Sequence, residues 1–242
     1  MRYTATAILA AAMLASPLPA FSQSTDNSAP VPASVATEPS TATPAPQEQG
    51  CVLHVWPGKS FHTVQYGWTH GGTIDGSQKG RKGYPDMPDQ PLSAEVQRGE
   101  MAKVDIPALL GLSGYRTVMH DAPLETKVIR STPGRMLKDS GPCHAELMIE
   151  DVVYQNNVIN GKWLNVIYKF RAFEGTSDAP VRGYSTYILG RVTLFPPDPD
   201  TDPQPALDDL RRAFGQTLND FGKQYDAYLK RNGKLKGAKI TL

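Results

Sequence analysis

Leu207, Leu210, Phe214, Leu218, Phe221, Tyr225 and Tyr228 recur at steps of three and four between Pro205 and Arg231. At about 100° per residue they fall on an arc of about 100°, the width of one buried helix stripe. Asp208 and Asp209 place negative charge in the first turn, and Lys230 and Arg231 place positive charge in the last, as the helix dipole favours. Pro203 and Pro205 mark its start, and Asn232-Gly233 offers a left-handed stop. A helix of this length, about 40 Å at 1.5 Å per residue, needs an apolar surface to lie on. The strands before it must supply that surface.

The amino terminus reads as an export signal. Arg2 precedes an apolar stretch from Ala5 to Leu18, and Ala20-Phe21-Ser22 carries small residues at −3 and −1 of a cleavage site before Gln23. The apolar part is shorter than the roughly 20 residues that span a bilayer; a retained anchor is the alternative. Residues 23–49 are Pro, Ser, Thr and Ala with almost no large apolar side chain. Such a composition cannot offset the entropy of ordering, so a disordered tether is expected, with one folded domain over 50–232 and a basic tail over 233–242. Once the signal is removed, no membrane span is expected.

Two cysteines in an exported chain read as one disulfide, Cys51 to Cys143, with two free thiols as the alternative. Each opens an apolar run, which suits neighbouring strands entering a sheet from the same end. The formal net charge of +1 argues for neither nucleic acid nor a strongly charged partner.

Cys51 to Trp56 reads as a strand closed by Pro57-Gly58. Residues 57–90 form a long Gly-dense loop, and loops of this length are often functional. Its Trp68, His70, Lys79, Arg81 and Lys82 make it a candidate binding loop. Leu92 to Val104 reads as a helix with Ser93 as N-cap, followed after Pro107 by one further turn ending at Gly111. Tyr115 to His120 is a strand, and Lys127 to Ile129 a weaker one. Cys143 to Ile159 and Lys162 to Glu174 form a hairpin about Asn160-Gly161.

A tight turn there would pair Ile159 with Lys162. It would place Leu147, Ile149 and Val153 on one face with Tyr168, Phe170 and Ala172, and Glu150 opposite Arg171. Asp151, Gln155 and Asn157 would then sit on the apolar face, so a bulge or a wider turn is expected. Tyr184 to Phe195 alternates again, with Tyr184, Thr186, Ile188, Val192 and Leu194 on one side. These elements predict an α+β fold: a mixed, mostly antiparallel sheet with helices on one face and a long carboxy-terminal helix.

This order over Cys51 to Tyr228, with Cys143-His-Ala-Glu-Leu-Met-Ile-Glu150 as an "alanine, acid, apolar" strand, resembles small bacterial envelope domains. The relatives it resembles are the LptE-like lipopolysaccharide-assembly lipoproteins and the amino-terminal domain of TolB. The resemblance implies a role in the envelope and carries over no functional residue. The chain departs from the lipoproteins in having no cysteine placed for lipidation.

Motifs for chemistry are thin. Gly58-Lys59-Ser60 lacks the glycine that a phosphate-binding loop needs five residues earlier, where Leu53 stands. His62, His70, Asp75 and Asp86 match no closed zinc spacing. His144, Glu146 and Glu150 alternate onto one strand face, an arrangement of two carboxylates and an imidazole open to acid–base work, though solvent-facing strands share it. His120-Asp121 could orient a base, but no Ser lies in a G-x-S-x-G elbow and no nucleophile accompanies it. Gly215 and Gly222 flank the helix stripe, where either packing within the domain or a close neighbour would use them. Lys230, Arg231, Lys234, Lys236 and Lys239, with Leu235, Ile240 and Leu242 between them, are either solvated or in contact with anionic lipid.

No cofactor or metal is expected. The first expectation is a non-enzymatic exported protein that binds or supports an envelope protein or lipid component. A small-ligand or lipid carrier with 57–90 as lid comes second, and an unrecognised hydrolase third. The oligomeric state is left open.

Overall fold

The computed structural model describes residues 50–59, 61–66, 73–75, 88–138, 140–157 and 159–236. The expected signal, the tether, most of the candidate binding loop and the end of the basic tail lie outside these. The sheet is organised on β5 (Cys143–Asn157), whose side chains are almost all buried along its first half. A strand buried on both faces needs partners on both edges. β6 (Gly161–Glu174) runs antiparallel to it along its whole length, and β7 (Arg182–Val192) pairs with β6. On the other edge two short strands lie end to end, both parallel to β5: β1 (Val52–Trp56) and then β2 (Phe61–Tyr66). β4 (Arg116–Met119) extends the sheet beyond β1, and β3 (Thr73–Asp75) beyond β2. The α+β class and the mixed, mostly antiparallel sheet are as expected.

β2 and β3 correct the reading of 57–90 as a continuous loop. Phe61-His-Thr-Val-Gln-Tyr66 is β-prone, but Gly and Pro on either side hide it, and only the free edge of β5 reveals its place. Between β1 and β2 the buried side chain of Gln97 takes over the ladder: its Oε1 accepts from Gly58 N–H at 2.8 Å and its Nε2 donates to Gly58 C=O at 3.1 Å. A Cβ at Gly58 would stand 2.8 Å from Ile149 Cγ2, so the chain crosses here only as glycine.

The hairpin contains both departures anticipated for it. A bulge lies between Ile149 and Asp151, and the turn is wider, with Asn157 opposite Gly161. The bulge moves the apolar set by one residue. Ala145, Leu147 and Ile149 face the core before it, Val152 and Tyr154 after it. Val153 therefore leaves the core face, and Glu146 rather than Glu150 stands opposite Arg171.

α4 (Gln204–Lys236) lies across the core face of β6 and β7. Leu210, Phe214, Leu218, Phe221 and Tyr225 are all buried against Tyr168, Phe170 and Ile188. The helix passes the expected stop at Asn232-Gly233 and runs on to Lys236. Gly190 lets it approach, since a Cβ there would lie 2.8 Å from Ala213 C=O and from Thr217 Cγ2. Gly222 serves packing within the fold, with Leu109 within 3.0–3.2 Å of where its Cβ would stand, whereas Gly215 faces open space. α1 (Ala94–Met101), capped by Ser93 Oγ on Val96 N–H, and α2 (Ile106–Leu109) complete this layer.

Two further expectations are corrected. Lys127 to Ile129 is not a strand but part of α3 (Thr126–Ser131), which buries Ile129 on Trp56 and Met148 on the opposite sheet face. Leu194 is exposed. β7 ends at Val192, Asp209 Oδ2 then accepts from Thr193 and Leu194 N–H, and Phe195 fills the core instead. The disulfide Cys51–Cys143 ties the start of β1 to the start of β5, strands that do enter the sheet from the same end.

Candidate functional site

The sheet face opposite α4 has two halves, and the candidate functions divide between them. On the half near the disulfide, β1 and β5 present His54, Trp56, His144, Glu146 and Met148 side by side, in the register His54 to Glu146 and Trp56 to Met148. α3 and the chain leading to β5 cover them. The sequence reading of His144, Glu146 and Glu150 as solvent-facing is thus corrected: His144 and Glu146 are wholly buried and Glu150 nearly so.

Glu146 is the centre of this cluster. Its Oε1 accepts from Met136 N–H at 2.6 Å and meets His144 Nε2 at 2.9 Å, while Oε2 accepts from Arg171 Nη2 at 2.7 Å. Burial by itself would raise its pKa. The His144 hydrogen bond, the Arg171 charge and the Met136 amide outweigh that and hold it below the ordinary glutamate range. Arg171 also donates to Thr132 C=O at 2.7 Å. Arg135 donates to Ser140, Gly141, Gly175 and Ser177 C=O, which fastens the covering loop to the β6–β7 turn. Glu150 is paired with Arg130 at 2.5 Å.

Next to this, His54 Nδ1 and His120 Nε2 are 2.9 Å apart, and the His120 ring stacks on Trp56 with centroids 4.2 Å apart. The His54 pKa is pushed down to about 4, first by burial and then by His144 and His120 beside it; that of His120 is lowered by burial. These imidazoles are neutral at pH 7. Asp121, the neighbour that might have oriented His120, pairs with Arg98 instead. Glu146 has both oxygens engaged and is not free to act as a base. No hydroxyl or thiol hydrogen-bonds to the three histidines among the described residues, and no three His, Cys, Asp or Glu side chains there converge to hold a metal ion. Within the cluster, Glu146 and Arg171 hold the covering chain through Met136 N–H and Thr132 C=O. Its histidines are scattered in the sequence, and the registers of β1 on β5 and of β4 on β1 bring them together.

The other half of the face is open. β6 and β7 set Trp163 beside Arg191, Asn165 beside Leu189 and Ile167 beside Tyr187. Tyr187 is 60% exposed and Leu189 45%, large values for an aromatic and a leucine in the middle of a strand. The Arg191 guanidinium lies over the Trp163 ring at 5.5 Å. A groove of about 360 Å³ opens between this strand and α4, lined by Tyr187, Ile188, Leu189, Asp220, Lys223 and Gln224. The sequence signal for this surface is the pair Tyr187 and Leu189, large apolar side chains on the off-core side of β7.

Trp68, His70, Lys79, Arg81 and Lys82 of the candidate binding loop lie outside the described residues, as do Asp86 and the tail from residue 237. His62 is exposed, 3.7 Å from Asp151 Oδ1. Lys59 of the Gly58-Lys59-Ser60 stretch pairs with Glu125.

No protein-family model matches the chain, and no curated protein matches it in sequence. Two solved structures are similar in part. One, from Helicobacter pylori, is described as a neuraminyllactose-binding hemagglutinin homologue; it is 9% identical, with a TM-score of 0.35 over 83% of this chain and 96% of that one. The other is a Xanthomonas campestris protein of the DUF330 family, 13% identical, with a TM-score of 0.34 over 84% of this chain and 95% of that one. Likeness at this level carries no argument about function.

Proposed function

We propose that the chain is a non-enzymatic protein of the cell envelope that holds an envelope protein on the open half of its second sheet face. The observation that carries this reading is the exposure of Tyr187 and Leu189, next to Ile167 and the Trp163–Arg191 stack, on a strand whose opposite face buries Ile188 and Val192 in the core. Contiguous apolar exposure is uncommon on a monomer, and aromatic and arginine side chains are enriched in interfaces. The export signal and the Cys51–Cys143 bridge support an oxidising compartment outside the cytosol. Engagement of both Glu146 oxygens supports a structural rather than a catalytic use of the histidine cluster.

The test is native mass spectrometry of the chain purified from the envelope, beside a Tyr187→Asp, Leu189→Asp variant with the same urea midpoint. A protein that accompanies the native chain and is missing from the variant is the expected result. Equal recovery from both, or lipid alone with the native chain, would contradict the proposal.

A further inference from the structure

We infer that His54 and His120 form a two-nitrogen site for a soft monovalent metal ion, copper(I), beside the end of β4. The site lies on the covered half of the second sheet face and does not depend on the open half.

β1 and β4 are parallel, and His120 directly follows the last residue of β4, with its N–H donating to Val55 C=O at 2.9 Å. The His54 and His120 ring centroids are 5.1 Å apart, and His54 Nδ1 lies 2.9 Å from His120 Nε2. Two ring radii account for the difference, so both nitrogens lie nearly on the line between the centroids. Each nitrogen therefore aims at the other. As a pair alone, one ring donates and the other accepts. With the hydrogens on His54 Nε2 and His120 Nδ1 instead, both rings stay neutral and turn lone pairs toward one ion between them.

A metal–nitrogen bond is about 2.0 Å long, so an ion in line needs the nitrogens about 4 Å apart and the pair must open by about 1 Å. The His120 ring permits this. It lies flat on Trp56, with 2° between the planes, and withdrawal along its own Nε2 direction is a slide within that plane. Both histidines are partly exposed, which gives an ion a way in.

His144 is the second observation. It is wholly buried, with its ring 5.0 Å from that of His54. Its Nε2 meets Glu146 Oε1 at 2.9 Å, and a carboxylate oxygen only accepts, so in the neutral ring the lone pair is on Nδ1. That atom is buried and has no hydrogen-bond partner. An unpartnered buried acceptor is costly, and a cation beside it lowers the cost. A carboxylate on the far nitrogen is also how metal-binding imidazoles are oriented.

The donors select the ion. Zinc takes three or four protein ligands, but no three His, Cys, Asp or Glu side chains converge here among the described residues. Glu146 has both oxygens engaged, and Asp121 pairs with Arg98. Two neutral nitrogens in line suit copper(I), a filled-shell ion that accepts linear coordination and binds imidazole. Around His54, Glu146 favours a cation and Arg116 opposes it, so one positive charge is tolerated better than two.

The probes are copper(I) in acetonitrile without oxygen, silver(I) as a surrogate of the same charge, and zinc, each titrated into the full chain with its disulfide intact. Imidazole nitrogen-15 spectra read the site directly. One equivalent of copper(I) or silver(I) should shift His54 Nδ1 and His120 Nε2 together, and zinc at the same concentration should shift neither. X-ray absorption should show copper(I) with nitrogen neighbours only. His120→Phe keeps a ring on Trp56 but removes the donor. It should weaken silver(I) binding by about tenfold or more, the loss that even an outer-shell change causes. His120→Met, which supplies a soft thioether, should regain binding that His120→Phe lacks, a gain that misfolding could not produce. Equal silver(I) affinity in the native chain and His120→Phe, sulfur or oxygen neighbours in the native copper(I) form, or zinc bound as tightly as copper(I) would each overturn the inference.

Discussion

Glu146 shows how far one residue can be read from sequence. Its place in an alternating strand was legible, but whether that face met water or protein was not, because α3 and the covering loop reach it only through tertiary contact. In the structure it neutralises the buried Arg171. Removing one partner of a buried pair leaves the other charge stranded, so Glu146→Ala should cost about 3–5 kcal/mol. A urea midpoint within error of the native value would contradict that role. The histidines add a pH dependence. An unfolded chain protonates His54 near pH 6.5, whereas the folded chain resists until about 4. Between those values the unfolded state binds the extra proton, and stability falls as pH falls. Glu146 acts in the same direction at lower pH, because a carboxylate held below its ordinary range loses its stabilising effect on protonation. His54→Gln should flatten the urea midpoint against pH between about 6.5 and 4. A slope as steep as the native one would show that His54 is not the group responsible.

Among the elements, α4 was the most legible because a stripe of seven large apolar residues has few places to go. Its packing on β6 and β7 makes it the cover of the main core. Phe214→Ala and Phe221→Ala should each cost about 3–5 kcal/mol, the range for emptying a buried aromatic site. Urea melts with size-exclusion chromatography check this, and an unchanged midpoint with a lost oligomer would mean the helix serves a partner instead. Gly190→Ala should also destabilise, by about 1–3 kcal/mol, because its Cβ would meet the Ala213 carbonyl and Thr217 where strand and helix touch. The shorter elements were harder. α3 contains Val128 and Ile129, whose branched side chains suit a strand, and only the Trp56–Met148 surface beneath it favours the helix. β2 was hidden by the Gly- and Pro-rich chain around it, since its pairing with β5 is long-range and parallel and leaves no turn signature.

At the scale of the whole molecule, the disulfide and the doubly edged β5 hold the fold together, while β7 leaves one side of it open. The Cys51–Cys143 bridge closes a sequence separation of 92 residues, worth about 4–5 kcal/mol in the chain-entropy model. Reduction should lower the thermal midpoint of the folded chain, and an unchanged midpoint would show that the sheet carries the constraint unaided. The central claim is that the open half of the second face is where this protein meets its partner. A photo-cross-linking side chain placed in turn at positions 187, 189 and 219 of the chain, in living cells, tests it most directly, because Asn219 is also exposed but lies on the outer surface of α4. The account predicts one discrete protein adduct at 187 and 189 and none at 219. Adducts of equal yield at all three positions, or at 219 alone, would contradict it.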